Sequence, residues 1–457
     1  MNNETRKTLI FGGAAVVLAA LAFVLSGPGA TPDEFLDKGE AFYPDFTDPN
    51  EATTLEVIEF DEESGSAVPF KVTFTDGRWT IPSHHDYPAD GKDRLSKTAA
   101  GVIGITKDDY RTNNPAEHAG CGVLDPLDET AAAISGRGKR ITLKGAGGET
   151  LADLIVGNEI PGSDGMRFVR LPDQKRVYAC RVDLDLSTNF ADWIEQDLLM
   201  VEQNQIQNVL IRDYSIDEQS GRINQRDNIS VTTSGDYTLD KMPKGKIIDS
   251  SKVKSLLAAI DTVNIVGVRE KPAGLSVALK AGDGSGQMGT PELLSLQNKG
   301  FFMARDGSLR SNEGEVQFTT TQGVRYTLRF GEVVYGSGLA VTAGAAGEAG
   351  EAETGAGENR YLFVTTEFVE DFFTKPAEPS NRDFVGKADS LLTDADKKNK
   401  ELANAFDAWA RDVQAGRQKS AELNDRFADW YYVISDASFQ KLRLTRDNLC
   451  KDKPADS

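Results

Sequence analysis

Histidine and cysteine are scarce in this chain. Three histidines (His84, His85, His118) and three cysteines (Cys121, Cys180, Cys450) serve 457 residues. A Ser–His–Asp triad would have to draw on those histidines, and no G-x-S-x-G elbow is present to hold its serine. The runs "KGAGGE" (144–149) and "GDGSGQMG" (282–289) lack the G-K-[ST] of a P-loop, and read as hairpin tips. "DEESG" at 61–65 lacks the acid spacing of an EF-hand. Lys and Arg number 51 against 71 Asp and Glu, a formal net charge of −20. That excludes the basic surface nucleic acid requires. Three distant cysteines imply no disulfide framework, although a Cys121–Cys180 bridge stays open.

Apolar sequence is concentrated at the start. Leu9–Leu25 reads "LIFGGAAVVLAALAFVL", 17 residues without a charge, near the lower limit for a membrane-spanning helix. Arg6 and Lys7 precede it, and Asp33, Glu34 and Asp37 follow. The positive-inside rule then predicts a single-pass protein of the inner (cytoplasmic) membrane, N-terminus inside and the bulk extracytoplasmic. A cleaved signal peptide is the competing reading, since "SGPGA" follows. Residues 1–26 are therefore read as cytoplasmic tip and anchor, with the bilayer as partner of 9–25. Residues 27–52, rich in Gly, Pro, Asp and Thr, read as a stalk.

Beyond the stalk one pattern occurs twice. "TLEVIEFDEESG" (54–65) is echoed by "NVLIRDYSIDEQSG" (208–221), and "VTFTDGRWTIP" (72–82) by "SVTTSGDYTLD" (230–240). Each is a strand, a turn ending in Gly, and a strand led by an aromatic. Trp79 and Tyr237 lie 158 positions apart, and the same shift carries Leu95, Ala99, Val102 and Ile105 onto Val253, Leu257, Ile260 and Val263. Those positions form the buried stripe of a helix. Arg111 falls on Arg269. "ETLADLIVGN", "GMRFVRL" and "RVYACRV" correspond to "VRYTLRFGE", "NRYLFVT" and "WYYVISD", with Gly157 and Gly331 expected to close matching turns. The expected fold is α+β: two tandem antiparallel-sheet-plus-helix modules, a long helical insertion in the second, and an N-terminal single transmembrane helix. The first module spans 53–198 and the second 199–450, with a tail at 451–457. A Gly/Ala/Glu-rich stretch at 343–359 predicts a disordered loop.

The insertion, 369–429, carries a heptad seam: Leu402, Phe406, Trp409, Val413, Gly416, Ser420, Leu423, Phe427 and Trp430. A long helix, or a hairpin broken near Gly416, laid on its own sheet is favoured over an intermolecular coiled coil, because large aromatics suit a core.

"GRWTIP" (77–82), the helix from Asp90 to Ile105, "CGVLDP" (121–126), "IVGN" (155–158) and "FADWIEQDLL" (190–199) together resemble a bacterial family, the domain of unknown function 4340. The resemblance covers 53–215 well and the second copy more loosely. Cys121 stands where that family tends to have an aromatic. The resemblance implies a membrane-anchored envelope protein. Some members resemble auxiliary subunits of gliding-motility-type ABC transporters, which implies an accessory or scaffold role.

Metal chemistry has one candidate set: His84, His85 and Asp86, with Glu117, His118 and Cys121. His118 and Cys121 have a usable spacing. Adjacent histidines in extended chain point apart, and the equivalent stretch of the second copy, "YTLDKMPKGKIIDSS" (237–251), has none. The expectation is therefore no catalytic residue, no metal, no cofactor and no enzyme activity. The protein is expected to bind a protein partner in the envelope through helix 390–430. The alternatives are a metal-dependent envelope hydrolase built on His84, His118 and Cys121, and cell-wall polysaccharide binding.

Overall fold

The computed structural model describes residues 37–62, 64–130, 133–217, 222–281, 288–335, 341–343 and 358–453. Residues 9–25 and most of the 343–359 stretch lie outside them. Among the described residues no helix is long and apolar enough to cross a membrane, so the transmembrane helix of the expected fold is not among the elements found.

The chain divides into two compact units. Residues up to Asp76 group with Gly91–Thr188, and Gly77–Asp90 groups with the residues from Asn189 onward. The opening strands are β1 (Thr54–Asp61), β2 (Ser66–Thr75), a short pair β3 (Arg78–Ile81) and β4 (Tyr87–Pro88), β5 (Asp109–Thr112), β6 (Lys139–Lys144), β7 (Thr150–Glu159), β8 (Met166–Arg170) and β9 (Val177–Arg181). Within the first unit they run in the order β2-β1-β6-β7-β8-β9-β5, all antiparallel. β2 and β5 occupy opposite edges, so the chain between them must cross the sheet. That crossing carries the helix Lys92–Ile103, whose Leu95, Thr98, Ala99 and Val102 are buried.

The second unit contributes β10 (Ile206–Asp217), β11 (Arg222–Thr232), β12 (Thr238–Leu239), β13 (Lys246–Ile248), β14 (Ile265–Glu270), β15 (Phe301–Met303), β16 (Leu309–Ser311), β17 (Glu315–Thr320), β18 (Val324–Val334), β19 (Asn359–Phe368), β20 (Trp430–Ile434) and β21 (Cys450–Asp452). Its main sheet runs β12-β11-β10-β17-β18-β19-β20-β14. From β11 to β14 the connectivity repeats that of β2 to β5. The crossing again carries a helix, Ser250–Asp261, capped by the Asp249 side chain and burying Val253, Leu256, Leu257 and Ile260.

The described residues are mostly antiparallel β-sheet, which corrects the α+β expectation. Each crossing helix is only 12 residues long, whereas backbone pairing extends strands well past their apolar positions. β11 is largely exposed, yet it pairs with β10 over ten positions from Asn208 to Asp217. Hydrogen bonding to a neighbour, rather than burial, makes it a strand, so its polar sequence conceals it.

Gly157 and Gly331 are not in turns. They lie inside β7 and β18, each at a register shift, between Val156 and Glu159 and between Phe330 and Val333. In both, the next strand supplies an arginine to the glycine carbonyl: Arg167 Nε to Gly157 O at 3.0 Å, and Arg360 Nη1 to Gly331 O at 2.9 Å. Bulges of this kind re-aim a strand without ending it, and a Cβ at either position would collide with neighbouring backbone. The glycine-rich stretch 282–289 is also not a strand hairpin. It joins the helices Ala273–Ala281 and Thr290–Gln297, with 282–287 outside the described residues.

The insertion forms one continuous helix, Asp394–Ala428, 35 residues and about 52 Å long. Thr393 and Asp396 close a capping box at its start. The helix runs on through Gly416, where Phe368 packs so closely that its Cε2 is only 2.5 Å from where a Cβ would stand. Its buried residues include Val413, Gly416, Ser420, Leu423 and Phe427, the second half of the seam. That half covers the edge of β19. β20 pairs with β19 only at Arg360–Leu362. Further along, the Asn424 amide accepts from Thr366 N–H (2.9 Å) and donates to Thr366 C=O (2.8 Å). A single side chain thus imitates the missing strand. Asn424→Ala should lower the unfolding free energy by about 2 kcal/mol, since both backbone groups lose their partner. A shifted urea midpoint checks this.

Candidate functional site

The paired histidines lie in the stretch Trp79–Asp90, which groups with the second unit. Pro82 opens a short 3-10 turn, Pro82–His84. His85 and Asp86 then take left-handed backbone, φ 58° and 56°, which turns Tyr87 back to pair with Ile81. The two histidines separate. His84 is 2% exposed and stacks on Phe190, centroids 4.4 Å apart and planes within 8°. Its Nδ1 is 2.9 Å from Ser83 Oγ. His85 turns its Nε2 to the Ala343 carbonyl, 2.7 Å away. Tyr87 meets Phe190 and Trp430 edge-on, and Asp90 N–H donates to the Trp193 carbonyl. The stretch is an aromatic plug of the second unit. Burial, with the charges of His85 and Arg269, pushes the His84 pKa down to about 4.

His118 and Cys121 belong to the first unit, on a one-turn helix, His118–Cys121, that Gly122 ends at φ 69°. His118 Nε2 lies 2.9 Å from the Lys175 carbonyl. Burial lowers its pKa although that hydrogen bond opposes the shift. Cys121 packs with Val123, Ile155 and Val177. Burial raises its thiol pKa against the pull of Arg111, and pushes Cys180 up to about 12. Neither is a poised thiolate. All three cysteines are free. The set His84, His118 and Cys121 is thus divided between the two units. Among the described residues no group of three His, Cys, Asp or Glu is placed to hold a metal.

The second unit brings together polar groups that sequence reasoning missed. On β18, Arg325, Thr327 and Arg329 alternate with Tyr326, Leu328 and Phe330, which are buried. A cavity of about 430 Å³ is lined by Arg325 and Arg329 together with Arg212, Glu315, Arg310 and Asn424. Glu315 is 2% exposed at its side chain and accepts from Arg212 (3.0 Å), Gln317 (3.2 Å) and the Tyr214 hydroxyl (3.3 Å). Arg329 donates to the Leu309 carbonyl and to Thr365 Oγ1, and pairs with Glu315 at 3.4 Å. The period-two placement of Arg and Thr in "VRYTLRF" was the available signal. It marks a polar face, and only the fold shows that this face is walled in.

Beside the long helix, Lys271 is also buried. Its Nζ donates to the Phe427 carbonyl at 2.8 Å and lies 4.0 Å from the Phe363 ring centroid. Burial holds its pKa well below the usual lysine range. It ties the start of the helix Ala273–Ala281 to the last turn of the long helix.

Residues 79–278 match the model of a family described as Domain of unknown function (DUF4340), which supports the family resemblance over that segment. Comparison with curated proteins and with solved structures finds no match.

Two outcomes follow from the buried groups. Above pH 6.5 His84 is neutral in both folded and unfolded chains. As pH falls from 6.5 to 4 only the unfolded chain takes the proton, so stability drops, on the order of 3 kcal/mol in total. His84→Phe, which keeps the stack on Phe190, should flatten this acid limb in urea titrations at pH 4.5 and 7.5. In native protein a thiol reagent should modify the partly exposed Cys450 first, and Cys121 and Cys180 only after denaturation. Mass spectrometry of the labelled peptides decides it.

Proposed function

We propose that the protein works by binding, as a non-catalytic accessory of an envelope or transporter-type complex. In this reading it sits at the inner membrane through the apolar run 9–25, with the bulk of the chain outside. The observation that carries the reading is the long helix. One face is consumed by the sheet edge, while Lys398, Glu401, Asp412 and Glu422 on the other remain exposed along its length. A 35-residue helix exceeds what covering six residues of strand requires. The outer face is the surface left over for a protein partner.

We also infer that the second sheet is a divergent copy of the first. The shared strand order supports this, as does the repeated bulge in which a glycine carbonyl accepts from an arginine of the next strand. A bulge that recurs at the matching strand is a feature a duplication would carry over.

Photo-crosslinking side chains at the exposed Ala405 and Ala415 of the full chain, in native membranes, should capture a defined protein. The quadruple charge reversal Lys398→Glu, Glu401→Lys, Asp412→Lys, Glu422→Lys should abolish that adduct without changing the melting temperature. An adduct unaffected by the reversal removes the helix as the partner surface.

A further inference from the structure

We propose that the arginine-lined cavity of the second unit binds an anionic amphiphile, a phosphate or carboxylate head carrying an alkyl chain. This goes beyond the partner reading, because it concerns a small molecule and stands whether or not a protein docks on the long helix.

The charge balance points to an anion. Arg212, Arg310, Arg325 and Arg329 face the cavity against two carboxylates, Glu315 and Glu367. Glu315 is shared between Arg212 and Arg329, and Glu367 is taken by Arg325 at 3.0 Å. Arg310 is left over. Among the described residues nothing accepts from its buried Nε, and its ion pair with Asp306 is long, 4.0 Å, and solvent-facing. The Nε is out of a ligand's reach, so it is the Nη groups, held only by that long pair, that offer charge-assisted hydrogen bonds to a phosphate or carboxylate oxygen.

The same side chain decides the rest of the ligand. Arg310 also walls a second hollow of about 630 Å³, lined by Ile223, Leu293, Phe302 and Met303 among others. Both volumes fall in the range of small-molecule sites, roughly 300–1,000 Å³. A free inorganic anion would use only the arginine side and leave the hydrocarbon surface in water. A ligand whose head meets Arg310 and whose chain lies over Phe302 and Met303 uses both. Polar groups few in number and fixed in place, beside an apolar wall, are what orient such a ligand. The fold builds this junction because β16 presents Leu309 to the arginine side while Arg310, the next residue, reaches between the two hollows.

Isothermal titration of the full chain in a maltoside detergent tests the assignment, with hexyl phosphate, hexanoate, inorganic phosphate and hexyltrimethylammonium as probes. Saturable binding of hexyl phosphate, hexanoate or both is expected, and which of them binds names the head group. Arg310→Gln should weaken it about tenfold, the size of one charge-assisted hydrogen bond, and Arg310→Lys should restore part of the loss. Ile223→Ser, at a half-exposed position, should weaken the alkyl anions and leave inorganic phosphate unchanged. Matching melting temperatures show that the variants fold. The proposal is overturned if neither alkyl anion binds, if hexyltrimethylammonium or inorganic phosphate binds as tightly, or if both substitutions leave affinity unmoved.

Discussion

The unpaired edge of β19 is the constraint on which the second unit depends. β20 satisfies only the three residues from Arg360 to Leu362. Beyond them the strand presents backbone donors and acceptors that water or another chain would otherwise claim. The long helix resolves this with Asn424, whose amide pairs with both backbone groups of Thr366, and with Ser420, whose carbonyl accepts from the Thr366 hydroxyl. A helix is wider than a strand, so Gly416 is needed where Phe368 approaches. The arginine-lined cavity opens where sheet and helix meet, with Asn424 in its wall.

A second constraint acts about one turn further on, at the C-terminal end of that helix. Lys271 is held by the Phe427 carbonyl and surrounded by Phe363 and Tyr431. Burying an amino group so completely is costly unless it finds an acceptor. The aromatic plug built from His84, Tyr87, Phe190 and Trp430 is held by ring packing, with His84 kept neutral by burial. Both fix the geometry of the elements around them.

Much of the local structure was legible because it follows from spacing. Leu95, Ala99 and Val102, with their counterparts Val253, Leu257 and Ile260, are buried as a helical stripe requires, while Ile105 and Val263 are buried just past the helix ends. The seam from Val413 to Phe427 is buried for the same reason. Its first half, Leu402, Phe406 and Trp409, is only partly covered, with Trp409 Nε1 donating to the Phe373 carbonyl. Less legible were the polar strands, such as β11, whose existence rests on a neighbour's backbone. Gly157 and Gly331 looked like turn residues because a bulge and a turn both favour glycine. The separation of His84 from His85 depended on two left-handed residues.

The sequence alone determined the periodicities: which residues form strands and helices with one buried face. Periodicity is local, and hydrophobic burial enforces it wherever the partner lies. Tertiary structure decided what no local pattern carries. It showed that sheet outweighs helix, that Gly77–Asp90 groups with the second unit, that Asn424 closes an edge, and that arginines from β10, β16 and β18 line one cavity. These depend on which strand lies beside which, and that is set by backbone pairing between residues as far apart as Arg212 and Glu315.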